Sequence, residues 1–138
     1  NISSDRKNGF HEALIKHNIE IHPDFELNLT NIETAHKTIE NFIKTHQFDA
    51  AISVDNNSAI MFQSLLKSFK PELVNQITCI GFANSKTSKL AYPPLSYINQ
   101  NAAKIGKQAV DLMIERIKDK SDNPTYKQVK VATDVVEV

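Results

Sequence analysis

Two nearly continuous apolar runs, FDAAISVD at residues 48–55 and ITCIGF at residues 77–82, flank a stretch in which Ile60, Met61, Leu65, Leu66 and Phe69 recur at helical spacing. An unbroken apolar run bounded by polar residues is the pattern of a strand covered on both faces, as in a parallel sheet. Strand, helix and strand in that order make a crossover unit, which is almost always right-handed. This arrangement predicts an α/β fold built on a parallel sheet.

The remaining segments fit around that unit. Phe10, Ala13, Leu14 and Ile19 predict an amphipathic helix from about Arg6, with Gly9 permitting close approach near its start. Pro23 and Asp24 punctuate the chain, and FELNL at residues 25–29 alternates as a short half-buried strand does. Ile32, Ala35, Ile39, Phe42 and Ile43 predict a second helix, capped by Thr30 or Asn31, with Glu33 in the first turn where the helix dipole favours it. Pro71 closes the helix of residues 59–69. After a loop rich in turn formers, LSYINQ at residues 95–100 alternates as a strand. The chain then changes pattern abruptly at Gln100: Ile105, Ala109, Leu112, Met113 and Ile117 form one helical stripe, and residues 127–138 return to extended character.

The 138 residues are the size of one domain, and 41% hydrophobic with 23% charged residues is a globular composition. Sixteen basic side chains balance sixteen acidic ones, which leaves no electrostatic footprint for a polyanion such as nucleic acid. A single cysteine, Cys79, excludes an intrachain disulfide and reads as a buried strand thiol. No apolar run approaches the ~20 residues that span a bilayer, so no membrane partner is expected. The five histidines form no His-x-x-x-His pair and no cluster with cysteine or aspartate, so neither a metal nor another cofactor is expected.

Four local patterns, in order, resemble the effector-binding domain of the lactose-repressor (LacI/GalR) family of bacterial transcription regulators. RKNGFHEAL at residues 6–14 is similar to its Arg-x-x-Gly-aromatic helix start, and FDAAISVDNNSAI at 48–60 to its strand–helix junction. ITCIGFAN at 77–84 is similar to its Gly-aromatic-Asp strand end, and PPLSYINQNAAKIGKQAVDLM at 93–113 to its Pro-Pro-Leu-Thr-Thr-x-x-Gln run with the helix that follows. The resemblance implies a three-layer lobe of the periplasmic binding protein-like fold, in which two lobes hold a small ligand between them. It implies a partial domain: residues 1–99 mainly the C-terminal lobe, 100–119 a crossover and a helix of the other lobe, and 120–138 a return segment. The chain then reads as cut from something longer, and the strand expected before Arg6 is absent. The change of pattern at Gln100 becomes a hinge.

The resemblance places Arg6, Asp55, Ala83 and Gln100 at the ligand, with Asn84 and Thr30 as further candidates beside them. Ligands of open parallel sheets bind beyond the carboxyl ends of strands. A guanidinium with carboxylate and amide partners suits vicinal hydroxyls. Each polar residue also has a plainer reading: Arg6 a solvated arginine, Asp55 and Thr30 helix caps, Asn84 a turn residue, Gln100 a surface amide. The sequence departs from the family pattern twice, with Asp55 where Asn is usual and Ala83 where Asp is usual. If the two strands are neighbours, a carboxylate has moved between adjacent strand ends.

No catalytic residue is expected. The haloacid-dehalogenase pattern needs a second acid where Asn57 stands, the three glycines are too scattered to cradle a phosphate, and no Gly-x-Ser-x-Gly elbow occurs. The resemblance implies a cytoplasmic small-molecule sensor, its effector a sugar or similar metabolite, acting as a homodimer that contacts DNA through a helix-turn-helix absent from this chain. Leu90, Ala91, Tyr92 and the helix of residues 58–69 are the candidate dimer surface, unless they are buried within the chain. The alternative is a periplasmic sugar-binding protein for transport or chemosensing.

Overall fold

The computed structural model describes residues 2–29, 31–121 and 126–138. Strands β1 (Ala50–Ser53), β2 (Thr78–Ala83), β3 (Ser96–Asn99) and β4 (Asp134–Val136) form one sheet in that order. β1, β2 and β3 run parallel, while β4 returns antiparallel to β3. The helices are α1 (Ile2–Lys16), α2 (Ile32–Thr45), α3 (Asn56–Phe69), the single turn α4 (Ser85–Ser88) and α5 (Ala102–Lys118). The α/β architecture with a mostly parallel sheet is thus present, and the predicted crossover is β1–α3–β2.

One face of the sheet carries the core. Ile39, Phe42 and Ile43 of α2 meet Phe62, Leu65 and Leu66 of α3 over Ile77, with Ala51 and Cys79 of the strands packed beneath. Side chains of this size contribute about 1.5–3 kcal/mol each when fully buried. Gly81 sets how closely β2 approaches α3: a Cβ there would lie 2.5 Å from the Ala59 Cβ and 3.2 Å from Leu95 Cδ2. Two buried polar groups tie down the loop into β3, the Gln63 amide donating to the Pro93 carbonyl at 2.6 Å and the Ser88 hydroxyl to that of Leu95 at 2.6 Å.

Because side chains alternate along a strand, Ile80 and Phe82 point away from Gly81's face and α3. That second face is thinly covered. Ile52 is 44% exposed and Val135 65%, so the expectation that β1 is covered on both faces is corrected. Helix α1 meets this face through Arg6, but neither α1 nor α5 contributes a buried residue. The stripe of α5 is real and largely uncovered, with Met113 55% and Ile117 72% exposed.

Two further expectations change. FELNL is not a strand: Pro23–Phe25 forms a 3-10 turn and residues 26–29 stay outside the sheet. Leu27 and Leu29 still pack against the core, which explains the alternation without backbone pairing. The extended tail pairs only over Asp134–Val136. The cap of α2 is Asn31, whose side chain accepts from the Glu33 amide; Thr30, the other candidate, lies outside the described residues. Within the suggested dimer surface, Ala91 and much of α3 are buried in the chain itself, whereas Leu90 and Tyr92 are exposed.

Candidate functional site at the strand ends

Three parallel strands bring three carboxyl ends to one rim of the sheet. The register aligns Ser53 with Gly81, Gly81 with Tyr97, and Ala83 with Asn99. Asp55, Asn84 and Gln100 therefore follow neighbouring strands out of the same edge, where open α/β sheets hold their ligands.

Arg6 spans that rim. Its Nη1 donates to the Val54 carbonyl just beyond β1, and its Nη2 donates to Gln100 Oε1 at 2.7 Å just beyond β3. Between the two, the guanidinium carbon lies 3.8 Å from the centroid of the Phe82 ring on β2. One side chain from the second turn of α1 thus touches the ends of all three parallel strands. Arginine suits this position because a planar, delocalised cation can stack on an aromatic face while its edge still donates.

Asp55 and Asn84 stand on the same rim but are turned toward helices. Asp55 caps α3: Oδ1 accepts from the Ser58 amide at 2.9 Å and Oδ2 from the Ser58 hydroxyl at 2.8 Å. Asn84 caps α4, its Oδ1 accepting from the amides of Lys86 and Thr87, each at 3.0 Å. Among the described residues, neither side chain bonds to Arg6. The strands of Asp55 and Ala83 are neighbours, and Ala83 is 5% exposed and offers no polar group.

Beyond Gln100 the backbone turns sharply. Asn101 has φ 55°, the left-handed region that asparagine tolerates better than most residues. Its amide nitrogen donates to the Ala132 carbonyl at 2.8 Å and to Asp134 Oδ2 at 2.9 Å, while its backbone N–H donates to Asn99 Oδ1 at 3.1 Å. The outgoing segment at residues 99–101 and the returning one at 132–134 are therefore tied beside the rim.

Arg6 and Gln100 are brought together as a pair, with Asp55 one residue beyond Arg6's carbonyl partner. Sequence reasoning missed Phe82, Val54 and Asn101. Phe82 had a signal, since alternation from Gly81 turns its ring to the face that α1 approaches. Val54 acts through a backbone carbonyl, which no residue type announces. Two surface hollows lie elsewhere: one of about 340 Å³ includes His36, Asn57 and Met61, and one of about 390 Å³ includes Lys67, Tyr92 and Pro93. The convergence of side chains on Arg6 makes the rim the better candidate. Among the described residues, no three histidine, cysteine, aspartate or glutamate side chains gather to hold a metal, and no helix is long and apolar enough to cross a membrane.

Comparison with known proteins gives a consistent result. The family described as periplasmic binding protein-like domain matches residues 1–137. The HTH-type transcriptional repressor PurR of Aliivibrio salmonicida is 31% identical over 119 residues, covering 84% of this chain and 35% of the repressor. The transcriptional regulator CelR in complex with cellobiose superposes with a TM-score of 0.80 at 16% identity, covering 97% of this chain and 41% of that one. A LacI family transcriptional regulator from Lactobacillus casei with bound sucrose gives 0.76 at 13% identity, covering 96% of this chain and 49% of the other. The chain thus spans about a third of the length of the curated repressor and under half that of CelR.

Proposed function

We propose, from the premise that the chain belongs to the periplasmic binding protein-like domain family, that it is the effector-sensing part of a LacI-type DNA-binding transcription regulator. The ligand is a small polar metabolite, a sugar in the first instance, held against the strand-end rim in a cleft closed by a second lobe. The observation that carries this reading is the Arg6 bridge, which joins β1 to Gln100 at the point where the chain leaves the sheet. A ligand gripping Arg6 thereby acts on the segment that leads to α5. The exposed stripe of α5 supports its membership of the other lobe.

The mechanism is one of linkage. An effector that binds one lobe angle better than another stabilises that angle, and the same free energy must appear reciprocally as a change in DNA affinity. DNA contact belongs to a helix-turn-helix outside these residues, in a cytoplasmic homodimer to which exposed Leu90 and Tyr92 contribute. Asp55, Asn84 and Thr30 remain ligand candidates beside Arg6 and Gln100. The names of the relatives favour a regulator over a transport protein, and none of those cited is an enzyme.

The test is thermal shift and operator binding by the intact protein across neutral sugars, acidic sugars and nucleobases. A ligand that raises the melting temperature and changes operator affinity, with both responses lost in Arg6→Ala while the variant stays folded, is the expected result. Effector responses that survive Arg6→Ala would remove the rim from the site.

A further inference from the structure

Among the described residues, the charge on Arg6 has no anionic partner. The side chain is half-buried, and both of its hydrogen bonds end on neutral oxygens, the Val54 carbonyl and the Gln100 amide. Among the described residues, no carboxylate forms an ion pair with it. Of the two carboxylates described beside the rim, Asp55 directs both oxygens to Ser58 at the start of α3, and Asp134 accepts from the Asn101 amide. At the neighbouring strand end Ala83 supplies no polar atom, and the next charged residue along the chain is another cation, exposed Lys86.

A guanidinium carries five N–H donors. Two are used, so three remain on a planar cation braced by the Phe82 ring. A partly desolvated cation gains most from an opposite charge, and the guanidinium fork matches two oxygens of one carboxylate or phosphate. Arg6 thus offers donors with no paired anion among the described residues, which suits an anionic acceptor better than a neutral hydroxyl.

We infer that the effector carries an anionic group, a carboxylate or a phosphate, which docks on Arg6 and supplies the counter-charge that the described residues lack. This rests on the proposed effector role of the rim. It narrows the ligand to acidic metabolites, such as sugar acids or sugar phosphates, and assigns Gln100 a specificity role: its neutral amide orients the guanidinium without neutralising it.

Gln100→Glu tests this, because it places a carboxylate of nearly the same shape where Oε1 already accepts from Arg6, on an exposed side chain whose replacement leaves the core untouched. The intact protein is titrated with glucuronate, glucose 6-phosphate and inorganic phosphate, and in parallel with glucose, sucrose and hypoxanthine. The wild type is expected to bind glucuronate or glucose 6-phosphate at least tenfold more tightly than glucose. Gln100→Glu should weaken that binding at least tenfold, and rising salt should weaken it in the wild type. The two acidic sugars distinguish carboxylate from phosphate, and inorganic phosphate separates recognition of the bare anion from that of the whole metabolite. Binding of glucose, sucrose or hypoxanthine in preference to the acidic sugars, or acidic-sugar affinity unchanged by Gln100→Glu, overturns the inference and leaves the effector role standing. A folded protein that responds to none of the six overturns both.

Discussion

Asp55 shows how one side chain can carry two readings that separate experimentally. As the N-cap of α3 it needs only an oxygen to accept from the Ser58 amide, and asparagine supplies one almost as well as aspartate. As a ligand group it would need its charge. Asp55→Ala should therefore lower stability by about 1 kcal/mol, while Asp55→Asn should leave the melting curve nearly unchanged. If Asp55→Asn nevertheless alters effector affinity in titration, the carboxylate acts on the ligand; if affinity too is unchanged, Asp55 is a cap alone. Asn84 poses the same question with a weaker handle, since its cap serves only the short α4.

At the scale of elements, α1 is the informative case because it has no fully buried residue. Polar contacts place it instead: Arg6 on the rim, and Lys7 and His11 on Glu26, with the Lys7–Glu26 distance 2.5 Å. The Glu26 carboxyl is held below its ordinary value, first by the hydrogen bond from Lys7 and then by that from His11. A depressed carboxylate stabilises the fold above its unfolded-state value, ordinarily 4.5, and that contribution is lost as pH falls through the lower folded value. Hydrogen exchange across α1 should accelerate, relative to α2 and α3, below about pH 4.5, and Lys7→Met should blunt this acid sensitivity. An α1 protected equally at pH 7 and pH 3 would mean that other contacts hold it. Since α1 carries Arg6, loosening this tether also disorganises the rim.

The whole molecule is held from one side. α2 and α3 seal one face of the sheet, and Cys79 lies within that packing. Burial pushes its thiol up to about 11, against an ordinary 9.0. The neutral thiol is therefore favoured in the fold, and the stability linked to it is complete below pH 9 and declines as pH rises towards 11. At pH 8 the native protein should carry about a hundredfold less thiolate than the unfolded chain. Reaction with a disulfide reagent such as dithionitrobenzoate should then be slow in buffer and fast in urea, reporting global opening; equally fast native reaction would show that the core opens locally. The opposite face, with Ile52 and Val135 exposed, and the uncovered stripe of α5 present apolar surface rather than enclosing it.

Periodicity by itself determined the crossover through α3 and the start of α5 after Gln100, whereas it was the family resemblance that put Arg6 and Gln100 at one site. The crossover and the helix start follow from where apolar residues recur, a property of the chain read one window at a time. Other features depended on which surfaces actually met. FELNL alternates because Leu27 and Leu29 face the core, yet alternation cannot say whether a backbone finds a partner strand. The apolar run of β1 cannot say that one face would stay open, since hydrophobicity states a tendency to be covered and tertiary contact supplies the cover. Only the assembled sheet brought the Val54 carbonyl, the Phe82 ring and the Gln100 amide around one guanidinium, because that convergence joins residues 48 and 94 positions from Arg6 across strands that the sequence keeps apart.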